Sequence, residues 1–392
     1  MVWQIANGDK YNFLSRPRRF GKSLLVSTLQ CYFEGRKELF EGLKIMNLEK
    51  DWIKRPVIHF SMNLGGSDAE SLYHYLDDTL TKYEEIYGKR ATEATLSNRF
   101  TGIIERAYQQ SGEQVAVLVD EYDAPLQHSY LTDRHEKCRN LYRDFFTGLK
   151  DYGYCIKCVF LTGITKFTQI SLFSVLNTLS NISFYNCYAT ICGLTKEEIL
   201  ENLKDEIQAL AVQKKWDIDQ TMHELKDMYD GYHFSESLQG VYNPFSVICA
   251  LKERRLRPYW IASGATEMLP KILTNFEKDV ETLDGSLIDM DYIETADISK
   301  DNPKLFLYQS GYLTIKGVIG ETYRLGFPNR EVKKALLELV VPNMLNANKE
   351  ETEIASRHYA DAYAASKKRL ISLALVFDKE NRGLIDWQEA DK

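Results

Sequence analysis

Apolar residues change period along the chain, and those changes mark the elements. Tyr11-Asn12-Phe13-Leu14 is a short strand-like run. Over residues 23–40, Leu25, Leu29, Tyr32 and Phe33 recur at helical spacing, which predicts an amphipathic helix. Residues 56–62 read as a second strand, and residues 67–87 and 96–110 as helices. Residues 115–119, Val-Ala-Val-Leu-Val, are apolar without a break, the pattern of a parallel strand covered on both faces. Residues 155–162 and 186–192 read as a fourth and a fifth strand. Strands alternating with helices predict an α/β fold built on a five-stranded parallel sheet.

Beyond residue 194 the texture changes. Thr195-Lys196-Glu197-Glu198 has the form of a capping box opening a helix. Helical patterns cover residues 195–214, 218–229, 246–252 and 265–276, interrupted over 229–245 by a loop rich in aromatic residues, Gly and Asn. Residues 305–313, 312–318, 322–327 and 329–345 then read as helix, strand, strand, helix, a winged-helix-like order. The expected division is a core at 1–193, a helical lid region at 194–300, a winged-helix-like unit at 301–345 and a remaining segment at 346–392.

The chemistry concentrates where the first strand meets the first helix. Residues 16–23 read Arg-Pro-Arg-Arg-Phe-Gly-Lys-Ser. Strand, loop ending in Gly-Lys-Ser, and helix is the setting of a phosphate-binding loop, although Arg16 stands where the full motif has its first glycine. Gly21 would let the backbone approach an oxyanion, Lys22 would reach the β- and γ-phosphates, and the Ser23 hydroxyl would hold Mg²⁺. Candidate nucleotide-binding residues are therefore Arg16, Pro17, Arg18, Arg19, Phe20, Gly21, Lys22, Ser23 and Leu24. Residues 115–119 run into Asp120 and Glu121. Asp120 is the second metal candidate, and Glu121 the candidate that polarises an attacking water. One strand between the loop strand and the acidic strand would give the additional-strand NTPase topology. Asp123 is expected to organise the loop after it. Three arginines this close cannot all serve one triphosphate, so at least one is expected to be structural, paired with a carboxylate such as Asp123. Arg139 and Arg143 read as a solvated helix face, and His59, His128 and His233 have no metal-ligand spacing.

The stretch 11–43, Y-N-F-L-S-R-P-R-R-F-G-K-S-L-L-V-S-T-L-Q-C-Y-F-E-G-R-K-E-L-F-E-G-L, closely resembles the bacterial predicted AAA-ATPase-like family, whose members carry the same Arg-opened loop. D-E-Y-D-A-P at 120–125, Y-W-I-A-S-G at 259–264, Y-Q-S-G-Y-L-T-I-K at 308–316 and Y-R-L-G-F-P-N-R-E-V at 323–332 extend the resemblance to about residue 345. It implies an ATP- and Mg²⁺-dependent ATPase core, a γ-phosphate sensor at the end of the fourth strand (Thr165, with Thr162 as the other candidate) and a nuclease-like domain at the C-terminus. It also implies a further stretch, with a Tyr-Val-Asp-Lys-Thr-like sequence, before the first strand, which is missing here. The nuclease motif, an acidic strand followed by Glu-x-Lys, has one match in form, Glu331-Val332-Lys333, at an expected helix start. Residues 359–387 resemble the last helix and strand of the nuclease-like domain, with its catalytic strands missing before them. Residues 369–377 are then expected to be a strand without a sheet, and no DNA cleavage is expected.

Composition narrows the picture further. A chain of 392 residues suggests two or three domains, and 44% hydrophobic with 27% charged residues is ordinary for a soluble globular protein. A net charge of −7 gives no bulk attraction to nucleic acid. Seven scattered cysteines without a signal-peptide pattern suggest a reducing cytoplasm, and no apolar run has the length of a membrane span. Cys155 and Cys158 fall inside a strand, on opposite faces, as structural residues. Two functions stay open. One is an ATP-hydrolysing switch or motor, acting alone or as a homo-oligomer. The other is a nucleotide-responsive module whose C-terminal half contacts nucleic acid or a protein, with negligible hydrolysis.

Overall fold

The computed structural model describes residues 1–167, 179–262, 268–273, 280–296, 298, 302–336, 372–377 and 384–390. Five strands, β1 (Tyr11–Ser15), β2 (Val57–Ser61), β3 (Val115–Asp120), β4 (Ile156–Gly163) and β5 (Ser180–Asn181), pair in parallel in the order β2-β3-β4-β1-β5. β4 therefore lies between the loop strand β1 and the acidic strand β3. This is the additional-strand arrangement of an α/β P-loop NTPase fold.

Both faces of the sheet are covered, which is why β3 is apolar from Val115 to Val119. Side chains alternate across a strand. Val115, Val117 and Val119 join Phe60, Phe100 and Phe145 on one side, while Ala116 and Leu118 join Leu25, Val26 and Leu29 on the other. The first side is covered by helices Ala69–Tyr87, Leu96–Ser111 and His135–Phe146, and the second by Lys22–Phe33. Phe100 and Phe145 stack with ring centroids 4.8 Å apart. Each such ring removed from water contributes about 1.5–3 kcal/mol. Buried Arg99 ties Ala69–Tyr87 to Leu96–Ser111 through Glu84 at 2.6 Å and through Asp77. Cys155 and Cys158 are free and buried, one in each apolar cluster.

Two local readings need correcting. The helix expected over 23–40 ends at Phe33, and Lys37–Phe40 forms a separate 3₁₀ turn. The fifth strand is not 186–192 but Ser180–Asn181. Residues 182–192 instead fold as successive tight turns, including Ile182–Phe184 and Asn186–Tyr188. Their carbonyls turn inward to a buried arginine rather than sideways to a neighbouring strand.

In the second half, the capping box at Thr195 opens helix Lys196–Asn202. Helices Lys204–Lys214, Ile218–Tyr229 and Pro244–Glu253 follow and share one apolar cluster. β6 (Leu287–Asp289), β7 (Thr314–Ile319) and β8 (Thr322–Gly326) make an antiparallel sheet in the order β6-β8-β7. Helix Lys304–Gln309 precedes β7, and residues 330–336 are helical, so Glu331-Val332-Lys333 lies on a helix. Of the helix expected at 265–276, Met268–Leu273 is described; 337–345, and the tail helix resembled after 359, lie outside the described residues. The strand expected to stand alone at 369–377 has a partner: β9 (Ser372–Phe377) pairs antiparallel with β10 (Leu384–Ala390).

Candidate functional site

The loop after β1 ends at Gly21, which caps helix Lys22–Phe33 with φ 80° and ψ 24°. A side chain is disfavoured in that conformation, and open space lies where its Cβ would be. The first helical hydrogen bond runs from Leu25 N to Gly21 O at 3.0 Å, so the N–H groups of residues 22–24 point out of the helix start. Ser23 is exposed there, and Leu24 is 71% exposed. Such a terminus attracts anions through its N–H groups and its dipole. Lys22 is buried and folds back on the loop: Nζ donates to the carbonyls of Arg16 at 2.9 Å and Pro17 at 3.0 Å. Burial lowers its pKa, against the opposing charges of Asp123, Glu121 and Asp120, which places all three carboxylates within its electrostatic reach.

The three loop arginines have different neighbours. Arg16 is 1% exposed and donates to the carbonyls of Ser15 (2.9 Å), Ser183 (2.9 Å), Tyr188 (2.8 Å) and Ile191 (3.3 Å). Its guanidinium carbon also stands 4.2 Å from the centre of the Phe234 ring. Its side chain is thus a structural strut and not a phosphate ligand, which corrects one of the nine candidates. The partner expected for a structural arginine, Asp123, is replaced by carbonyls. Burial brings its pKa down to about 10, so it stays charged at neutral pH. Arg19, with φ 66°, is exposed and lies over Phe245 at 4.9 Å. Arg18 is half-buried and its positive charge acts on Glu121. Phe20 is buried edge-to-face against Tyr232 (4.8 Å) and Phe234 (5.5 Å). Arg139 and Arg143 sit beside Glu136 and Asp144 on the helix His135–Phe146.

At the end of β3, Asp120 is 5% exposed and its Oδ1 accepts the Glu121 N–H at 3.0 Å. Glu121 has φ 49°, a left-handed conformation that a non-glycine residue holds only under tertiary constraint. Burial raises its pKa, helped by Asp120 and Asp123 and opposed by Lys22 and Arg18. Desolvation thus holds the Glu121 carboxyl above the usual carboxylate range. Asp123 does organise the next loop. Its Oδ2 accepts from Ile164 N (3.0 Å), Thr165 N (2.6 Å), Thr165 Oγ1 (2.6 Å) and Gln127 Nε2 (2.5 Å).

Hydrogen bonds within the protein engage both sensor candidates. Thr165 is fully buried with its hydroxyl on Asp123, and Thr162 is fully buried with its hydroxyl on the Leu14 carbonyl at 2.9 Å. Both hydroxyls are engaged within the protein, the Thr165 Oγ1 also accepting from Gln127 Nε2 at 3.3 Å. The polar groups at the end of β4 tie it to β1 and to the loop after β3.

Among the described residues, no three His, Cys, Asp or Glu side chains converge as a metal cage. One hydroxyl (Ser23) and one carboxylate (Asp120), with the remaining ligands from phosphate oxygens and water, is the donor set that suits Mg²⁺. The groups that sequence reasoning missed lie in the second half of the chain. Trp260 Nε1 donates to the Arg18 carbonyl at 3.1 Å, and Tyr232, Phe234 and Phe245 carry the loop side chains. The one available signal was that residues 259–264 and the aromatic loop 229–245 stood out without an assigned role. No helix among the described residues is long and apolar enough to cross a membrane.

Comparison with known proteins agrees with this geometry. Residues 1–173 match the AAA-ATPase_like family model, described as a predicted AAA-ATPase. That segment holds both the loop and the acidic strand. The chain is also similar to an uncharacterized protein in the vnfD 5'region of Azotobacter chroococcum mcd 1. The two are 34% identical over 344 residues, covering 86% of this chain and 64% of the relative. The chain thus spans less than two thirds of that protein's length.

Proposed function

We propose, from the predicted AAA-ATPase segment at residues 1–173, that this protein is an ATP-hydrolysing switch. The observation that carries the reading is Lys22 at the start of the helix that follows β1, within electrostatic reach of Asp120 and Glu121 at the end of β3, with one strand between β1 and β3. In this reading Lys22 exchanges the carbonyls of Arg16 and Pro17 for β- and γ-phosphate oxygens. Ser23 and Asp120 would hold Mg²⁺, which would supply neutralisation of phosphate charge. Glu121 takes a proton from water as the water oxygen bonds to the γ-phosphorus. The bond from that phosphorus to the β–γ bridging oxygen breaks, and ADP leaves with the bond's electron pair. The second half of the chain is the responding part and the place for a nucleic-acid or protein partner.

Calorimetry and a phosphate-release assay on three proteins test this. Wild type should bind Mg·ATP and turn it over. Lys22→Ala should lose binding. Glu121→Gln should bind but turn over ~10²–10⁴-fold more slowly. Equal affinity in wild type and Lys22→Ala would move the nucleotide elsewhere. A second reading, a nucleotide-responsive module with negligible hydrolysis, draws on the packing of Phe20 and Arg16 against Tyr232 and Phe234. Binding without turnover in the wild type would select it.

A further inference from the structure

The phosphate loop lacks the opening glycine that usually lets such a loop take its shape, so the shape has to be imposed from outside. Three successive loop carbonyls show how. Those of Arg16 and Pro17 accept from Lys22, and that of Arg18 accepts from the indole N–H of Trp260. When Lys22 leaves for a phosphate, Trp260 remains as a side-chain hold on this stretch of backbone. The indole is seated for that task. It is 4% exposed and packs edge-to-face on Tyr312 at 4.9 Å. Beside it Gly311, at φ 90°, lets Pro17 come so close that a Cβ there would stand 2.6 Å from the proline's own.

Trp260 also reaches in the other direction. Its backbone N–H donates to Glu331 Oε1 at 2.8 Å, on helix 330–336. Glu331 is 1% exposed, and its Oε2 is buried without a hydrogen-bond partner among the described residues. Ser246 Oγ, Asn243 Nδ2 and Tyr232 OH are buried and unpartnered in the same way. Ser246 lies close enough to influence the Glu331 carboxyl, though outside hydrogen-bond geometry, and Tyr232 senses both Glu331 and Asn243. Tyr232 is also the ring against which Phe20 of the loop packs. A half-satisfied polar cluster in a low-dielectric interior is a place where one added or lost partner changes the local structure.

We propose that Trp260 is a positioning residue that holds the phosphate loop in its nucleotide-ready shape, and that Glu331 seats Trp260 from the opposite side. The clamp couples the loop to the C-terminal half of the chain. The inference rests on the nucleotide reading for its consequence but not for its test.

The test is hydrogen exchange at the amides of residues 18–21 in the nucleotide-free full chain, with ATP affinity and turnover measured beside it. Trp260→Phe keeps a ring and the backbone N–H but loses the indole donor. It should speed loop exchange by roughly three- to tenfold and weaken ATP by a similar factor, the worth of one net hydrogen bond. Turnover at saturating ATP should stay within about twofold of wild type. Glu331→Leu, which removes the acceptor, should loosen the same amides. Glu331→Gln, which keeps one, should restore wild-type protection. Wild-type exchange in both Trp260→Phe and Glu331→Leu would overturn the clamp. A loop loosened by those variants in a wild-type protein that binds no ATP would sustain the clamp and remove the nucleotide reading. Intact ATP binding with an unmoved loop would do the reverse.

Discussion

Asp123 and Glu331 are both carboxylates at 1% exposure, and the fold treats them in opposite ways. Asp123 sits between β3 and β4 and accepts four donors on one oxygen. Glu331 sits between helix 330–336 and Trp260 and has one accepted bond and one orphan oxygen. Removing a carboxylate from water is costly, and hydrogen bonds to the charged form are what offset the cost. Where they are complete, the group becomes a fixed part of the scaffold. Where they are not, burial favours the neutral form and pushes Glu331 up to about 7. The difference separates a rigid corner beside Glu121 from an adjustable joint behind the phosphate loop.

The largest expected effect is at the saturated corner. Asp123→Ala would strand the N–H groups of Ile164 and Thr165 and the side chains of Thr165 and Gln127 in the interior. We expect a loss of about 3–5 kcal/mol in urea unfolding, each stranded donor adding its own desolvation cost. A loss under about 1 kcal/mol would mean that the corner relaxes or hydrates, and the contrast with Glu331 would collapse.

The next effect is a pH dependence at the unsaturated joint. The folded pKa of Glu331 is raised from 4.5 to about 7, so the folded state holds a proton that the unfolded chain has released. Stability from this group is present at low pH and is lost as pH rises through that interval. Unfolding free energies at pH 5 and pH 8 should therefore fall more steeply in wild type than in Glu331→Gln, by on the order of 1–3 kcal/mol. Parallel profiles would show that Glu331 stays ionised on partners the contrast does not include.

The smallest effect separates scaffold from chemistry at Thr165. Thr165→Val removes the hydroxyl bond to Asp123 and the weaker one accepted from Gln127 at 3.3 Å, and leaves the three other donors to Asp123 in place. It should cost about 1 kcal/mol of stability and leave turnover per folded molecule unchanged. A drop of a hundredfold or more in turnover with stability intact would return Thr165 to the reacting site.

Much of the site was legible because its signals are local. Gly-Lys-Ser between a strand and an amphipathic helix, an apolar run ending in Asp120-Glu121, and a capping box at Thr195 each lie within a few residues of sequence. Period, backbone preference and burial act at that range, and the strands and helices around these stretches lie where those signals put them. Asp123 as a loop organiser was legible too, as one of two uses its place after the buried strand suggested, the other being an arginine partner.

What the tertiary structure alone decided is which distant group each buried polar atom meets. Arg16 looked like a phosphate ligand because it sits in the loop, yet its partners are carbonyls 167 to 175 positions away. Those same carbonyls turn residues 182–192 away from a ladder, so one long-range choice misled both the arginine and the fifth strand. Thr165 looked like a sensor because it ends a strand, yet Asp123 holds its hydroxyl. Trp260 stood in a stretch, 259–264, that resembled the family, but its role was not legible there, since its partners are Arg18 and Glu331. Spacing along a chain reports which face a side chain presents. The partner on that face is set by how the elements pack, and for buried polar groups the partner decides the role.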